Sequence, residues 1–328
     1  MNSIIVDKHQ SRHIGTMVGR LKFKEDFLKR AFLNNGLTNR LKASMYYYAV
    51  GICHQTYHLA NPKLNLYGWD FLEYGFLEIA QQQPELLDAQ HLVQLSKAEL
   101  IQLIKPYFAE DHQPEKCTLD TLDERAELWL NMARFLTFNK MDVLGFIENS
   151  NHEPSYFYSK LPSAEAYSDP LQKKTSFLMK LLEDSKLAKF SNSEEIIPIM
   201  DYHMQRVLLR TGCVEVVDEQ LKQKLQLRQA IKSDSEIREA CIASMKIIAQ
   251  TAGLSILKMN DVFYTMGRSC CNETMLCHNH HCEKDPCTLS LAVELGKHER
   301  CIFQDICKGA TNKSYRKFWQ PQIQTHYY

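Results

Sequence analysis

Apolar residues along the first 160 positions recur at helical spacing, and they predict helices over residues 21–32, 41–59, 69–81, 97–108, 119–138 and 142–147. In the longest of these, Leu122, Ala126, Leu130, Met132, Ala133 and Leu136 keep roughly a 3.6-residue period and define one buried stripe. Proline-bearing polar stretches at 110–116 and 149–163 read as loops that divide helices.

The second half carries sharper punctuation. Asp169-Pro170 predicts a helix start, with Asp as N-cap and Pro at the first position, running to about Glu183. Its apolar face holds Leu171, Thr175, Phe177, Leu178, Leu181 and Leu182; Lys173 and Lys180 are expected opposite, whereas Lys174 falls inside the stripe. A second helix opens at Asp201, buries Met204, Val207 and Leu208, and stops at Gly212 as its C′ glycine. Ser233 with Glu236 predicts a capping box for a third, which ends at Gly253. Residues 213–217 alone look strand-like, and the cysteine-rich segment beyond about 260 is expected to be irregular.

Composition supports this helical reading: Gly (12) and Pro (10) are sparse in 328 residues, which leaves few tight turns. Lys+Arg and Asp+Glu both number 39, so bulk positive charge cannot be what holds nucleic acid, although a local basic surface can. No run approaches the roughly 18–20 uncharged residues a bilayer span needs, and the N-terminus lacks an apolar leader. The expectation is a soluble, cytoplasmic monomer without a membrane partner. Of the cysteines, Cys53, Cys117, Cys213 and Cys241 are scattered, while Cys270, Cys271, Cys277, Cys282, Cys287, Cys301 and Cys307 crowd one segment together with His278, His280, His281 and His298. Clustered thiols in such a chain read as metal ligands before disulfides, four of the seven being expected to bind; Zn2+ and a four-thiolate iron–sulfur cluster both fit.

Two further residues invite chemistry. Asp201 reads as a plain N-cap, but a carboxylate held ionised by a helix dipole behind the apolar 196–200 segment can also face positive charge developing on a sugar as its base departs. Lys174 reads as a snorkelling lysine or, if buried, as an amine of lowered pKa able to form a Schiff base. The tail from Lys308 to Tyr328 mixes Lys313, Arg316 and Lys317 with Tyr315, Phe318, Trp319 and Tyr327, a mixture that either grips nucleic acid or packs onto the body. The aromatic stretches 45–55 and 67–71 suit either a base pocket or core.

Ile196-Ile197-Pro198-Ile199-Met200-Asp201-Tyr202-His203 through Arg206-Val207 resembles the I-P-x-x-D-Y-R-x-x-R-V element of the helix–hairpin–helix DNA glycosylase superfamily, especially its archaeal 8-oxoguanine glycosylase and queuosine-salvage branches. Lys173-Lys174-Thr175-Ser176-Phe177 with Met179-Lys180 resembles the archaeal helix that carries a Schiff-base lysine, and residues 233–240 resemble a queuosine-salvage signature. The gaps Cys270–Cys277 and Cys301–Cys307 resemble the outer gaps of the iron–sulfur glycosylases' C-x6-C-x2-C-x5-C. The glycine-rich hairpin L-P-G-x-G is absent, and His203 stands where relatives carry Arg.

The resemblance implies an all-α, two-lobed glycosylase-like fold with a cysteine-rich metal-binding C-terminal segment. Its expected parts are an N-terminal helical lobe (1–160), a catalytic lobe carrying Lys174 and Asp201 (161–262), and the cysteine segment with the tail (263–328). It implies an N-glycosylase that excises a damaged or modified base from DNA, in repair or in defence against foreign DNA, with lyase activity through Lys174 open. Asp201 is then the catalytic carboxylate; Tyr202, His203, Arg206 and Phe177 contact substrate, and the cofactor is a [4Fe–4S] cluster with Zn2+ as the alternative. The other readings are an N-glycosidase acting on a free modified nucleotide, and a metal-stabilised nucleic-acid-binding module without catalysis.

Overall fold

The computed structural model describes residues 3–296 and 298–328. The described chain is mostly helical, with two small two-stranded antiparallel sheets. It forms two compact units that divide the sequence otherwise than the three predicted segments: Met1–Lys29 with Ile196–Gln324, and Arg30–Glu195 with Thr325–Tyr328. Lys174 and Asp201 therefore belong to different units. Among the described residues no single helix is long and apolar enough to cross a membrane.

The unit of residues 30–195 is built around the helix Asn39–Gly51. Met45, Tyr46, Tyr47, Tyr48, Ala49 and Val50 are all buried, so this helix is enclosed on every side, which explains its weak amphipathicity. Its buried hydroxyls find carbonyls: Tyr46 donates to Phe32 at 3.0 Å and Tyr47 to Met132 at 3.3 Å. The stretch 45–51 thus belongs to the core. Trp69–Gln82 and Leu122–Phe138 pack their apolar stripes beside it, with Trp129 stacked on Phe76 and on Tyr48.

In the same unit the helix expected from Asp169-Pro170 begins later, at Lys173. Gln172 adopts a left-handed φ of 60°, which breaks the helix before it; Asp169 still accepts from the backbone N–H groups of Leu171 and Lys173. Lys173 and Lys180, expected on a solvated face, are both buried. Lys180 is held by Asp184 at 2.9 Å, one turn on.

The other unit joins the chain's beginning to its second half. Ile4–Val6 pairs antiparallel with Val214–Val216, with Ile5 opposite Glu215. A helix that the apolar pattern did not predict, Lys8–Val18, follows and lies along Ser235–Ala252. The two approach closely at Gly15, where a Cβ would sit 2.7 Å from Thr251 and 2.8 Å from the Ile248 carbonyl oxygen. The predicted helix over 21–32 does not form beyond one short 3-10 turn, Asp26–Lys29, because Phe23 bridges Val293 and Lys24 donates to the Ala292 carbonyl. Ser233 caps no helix through a capping box: its hydroxyl accepts from Ser235 N–H, and Asp234 occupies the cap position. Gly212 and Gly253, with φ of 78° and 67°, end their helices as expected. A further helix, Ile256–Arg268, leads into the cysteine segment, which holds only short turns such as Leu276–Asn279.

Candidate functional site

Asp201 sits at the mouth of the helix Tyr202–Thr211, after an apolar segment in which Ile196, Ile199 and Met200 are buried. Its own φ and ψ are extended, and its Oδ1 accepts from Met204 N–H at 2.9 Å, so it caps the helix as the sequence predicts. The residue is only 8 % exposed. The positive end of the helix dipole favours a carboxylate in that position. It can stabilise a cation or accept a proton from water.

This helix is buried on its polar face as well, and the arginines there tie it to the cysteine segment. Arg206 is 1 % exposed; its guanidinium donates to the carbonyls of Cys271 and Gly267, to Asn272 Oδ1 and to Gln320 Oε1, and lies 4.4 Å from the Trp319 ring centre. The substrate contact expected of Arg206 gives way to a structural one, because its donors are spent on backbone and neighbouring side chains. Arg210 does the same work one turn on, donating to the carbonyls of Phe318, Cys271 and Asn272, each at 2.9 Å. Burial, with Arg210 nearby, lowers the Arg206 pKa to about 10, which leaves it charged at neutral pH. His203 is half-buried, its Nδ1 3.2 Å from Arg206, and Tyr202 packs beside its ring.

A metal-ligand set follows directly in the chain. Cys270, Cys282, Cys287 and His298 bring three sulfurs and one ring nitrogen within 4.8 Å of one another. Cys270 Sγ lies 3.3 Å from both Cys287 Sγ and His298 Nε2. The described cysteines form no disulfide. Four N/S atoms at such spacing can hold one metal ion, since a bond length of ~2.3 Å to sulfur puts ligands of a tetrahedral ion ~3.8 Å apart. Hydrogen bonds with Cys270 hold the Cys287 and Cys282 thiols below their ordinary value, while the same contacts hold the Cys270 thiol high. Ser269 Oγ lies 3.3 Å from Cys287 Sγ, beside the set. Three of the seven expected cysteines, Cys270, Cys282 and Cys287, fall in this set, and His298, not expected as a ligand, joins them. Its only sequence signal was its position among the cysteines, because the gaps of eleven residues between Cys270 and Cys282 and of ten between Cys287 and His298 exceed the usual paired spacing.

In the other unit, Lys174 is wholly buried and its Nζ donates to the Gly51 carbonyl. Burial, reinforced by Lys173 and Arg125 and opposed by Cys53, lowers its pKa to about 7. Lys173 Nζ reaches Cys53 Sγ at 3.3 Å and lies 5.1 Å from the Phe177 ring, which itself packs on Trp69 at 4.8 Å. His54 is buried beside them and kept neutral by desolvation, and neither ring nitrogen has a hydrogen-bond partner among the described residues. Lys174 is thus a desolvated amine rather than a snorkelling one.

The tail packs onto the body: Phe318, Trp319 and Tyr328 are buried, and Trp319 is flanked by the guanidinium groups of Arg206, Arg210 and Arg228. No protein-family model matches the chain, and no curated protein matches it in sequence.

Proposed function

We propose that this protein is an N-glycosylase that removes a damaged or modified base from DNA, with Asp201 as the catalytic carboxylate. The observation that carries the reading is a buried carboxylate at a helix N-terminus behind an apolar wall, in the element that resembles the glycosylase D-Y motif. The base would be flipped from the stack before reaction. As the bond between C1′ and the base nitrogen breaks, its electron pair leaves with the base, which takes up a proton. Asp201 stabilises the oxocarbenium-like sugar and accepts a proton from the water whose oxygen then bonds to C1′.

The Cys270/Cys282/Cys287/His298 set suits a single structural zinc ion, its donor atoms being those of closed tetrahedral zinc sites. When bound, the ion supplies folding free energy to a polar segment. Arg206 and Arg210 then transmit that order to the Asp201 helix by holding the Cys271 carbonyl. A neutral Lys174 amine has the electronic character of a Schiff-base former, and the lyase reading rests on it.

The experiment is incubation with duplexes carrying different modified bases, followed by mass spectrometry of released bases. Asp201→Asn keeps the cap and removes the charge, so base release is expected to fall by about 10²–10³ with stability little changed. Full activity in that variant would refute catalysis by Asp201 and favour the binding-module reading. The zero net charge favours a second reading, hydrolysis of a free modified nucleotide. Salt separates the two: turnover of a DNA substrate weakens steeply as salt rises, while that of a nucleotide barely moves.

A further inference from the structure

We infer that the outer face of the helix Lys8–Val18, with the turn that follows it, is a surface for the phosphate backbone of duplex DNA; its choice of partner rests on the glycosylase reading. The zero net charge of the chain conceals a division. The unit of residues 1–29 and 196–324 holds 23 Lys+Arg against 17 Asp+Glu, while the other unit holds 16 against 22. The basic unit is the one that carries Asp201. Within it, residues 8–24 hold five Lys+Arg and no acid.

Folding gathers these charges on one side. Gln10, Ser11, Ile14, Gly15 and Val18 turn inward, which leaves Lys8, His9, Arg12, His13 and Thr16 exposed, with Arg20 exposed just beyond the helix. Lys8, Arg12 and Thr16 follow at four-residue steps, about 6 Å apart along the axis, and Arg20 continues the series. Among the described residues no carboxylate pairs with Lys8, Arg12 or Arg20, because the acids nearby are engaged elsewhere. Asp7 caps Gln10 N–H and holds Lys308 at 2.9 Å, Asp26 holds Lys24 and Lys29, and Glu294 meets Lys22 at 4.0 Å. The stretch of the neighbouring helix that lies alongside, from Ser244 to Ala252, has no acid either. Like charges one turn apart oppose the helix that carries them, so Lys8 and Arg12 stand uncompensated until a partner brings the opposite charge. That partner is a repeating anion rather than a protein or a lipid surface. Between Lys8 and Arg20 no large apolar side chain is exposed to form the core of a protein interface. Ile14 and Val18, the apolar residues an interfacial helix would lay into lipid, are wholly buried. Phosphates need no such anchor, since they bind through charge and the release of counterions.

The test follows binding of the full chain to a labelled, unmodified duplex by fluorescence anisotropy between about 50 and 200 mM salt. Each phosphate contact contributes about 0.9 to the slope of log affinity against log salt, so the triple variant K8Q/R12Q/R20Q is expected to flatten that slope by about 2.7. Over the fourfold salt range its affinity then falls about 40-fold less than the parent's. K140Q/K160Q/K186Q removes the same charge from exposed positions of the acidic unit and is expected to keep the parent slope. Equal flattening in both variants, or none in the first, overturns the surface. If the first variant fails to fold, acetylation of the unaltered protein decides: the duplex is expected to shield Lys8 and leave Lys186 reactive, and equal labelling of the two overturns the surface. Tighter binding to polyglutamate than to the duplex overturns the choice of partner. The glycosylase reading fails separately, because an unmodified duplex offers no base to release. Base release by the parent with an unchanged slope in the first variant sinks the surface alone, whereas the expected slopes with no base released from any modified duplex sink the glycosylase and leave the surface.

Discussion

Lys174 offers a quantitative test of the buried amine. Its pKa falls from 10.5 to about 7 in the fold, chiefly through burial. Between those two values the unfolded chain holds a proton that the folded chain lacks, so stability rises with pH by up to about 1.4 kcal/mol per unit, roughly 5 kcal/mol across the window. Below pH 7 both states are protonated and the full penalty applies; above 10.5 it has vanished. Lys174→Met removes the penalty at nearly constant volume but leaves the Gly51 carbonyl without its donor, at a cost of about 1–3 kcal/mol. The variant is therefore expected to be more stable than the parent by about 2–4 kcal/mol at pH 6, and less stable by about 1–3 kcal/mol near pH 10.5. Urea unfolding followed by fluorescence reads the effect, since Trp69 and Trp129 lie in the unit that holds Lys174. Buried thiols such as Cys213, pushed up to about 11, titrate with the opposite sign but are common to both proteins and cancel in the difference. A stability difference that stays constant from pH 6 to 10.5 would refute a depressed pKa at Lys174. Borohydride trapping on an abasic duplex, lost in the same variant, is the expected sign that the amine also reaches substrate.

Two further predictions concern the unit that carries Asp201. Arg206→Lys keeps the charge but cannot reproduce a planar fork bonded to Cys271, Gly267, Asn272 and Gln320, so urea unfolding should show a loss of about 3–5 kcal/mol; an unchanged midpoint would sink the structural role. Gly267→Ala places a Cβ 2.8 Å from His203 Cβ and 2.9 Å from the His203 carbonyl oxygen, which forces the helix Ile256–Arg268 off the Asp201 helix. A loss of about 1–3 kcal/mol is expected, with slower base release, and a crystal structure with both helices unmoved would contradict it.

What the sequence determined by itself was local. Asp201 caps its helix and Gly212 and Gly253 end theirs, because a carboxylate beside free N–H groups and a residue at positive φ need only a few neighbouring atoms. The stripe of Leu122–Phe138, the short strand Val214–Val216 and the place of Lys174 within an apolar stripe were legible for the same reason, each following from a pattern within one element, whereas the full burial of Lys174 was not. Tertiary structure decided what depends on distant partners. The helix Lys8–Val18 buries Gln10 and Ser11, and the distant Thr211 and Ile306 carbonyls, which accept from Gln10, and the Ser244 hydroxyl help make that burial tolerable. Lys180 and Arg206 read as solvated or substrate-facing, and only the surrounding fold buries the first and brings the cysteine segment to the second. That Cys270 meets Cys287 and His298 while its neighbour Cys271 meets Arg210 lies beyond any spacing rule, because the loop's return path selects the partners of each sulfur. Backbone preferences act within a turn or two of chain, whereas desolvation and ligation are settled by groups that only folding brings together.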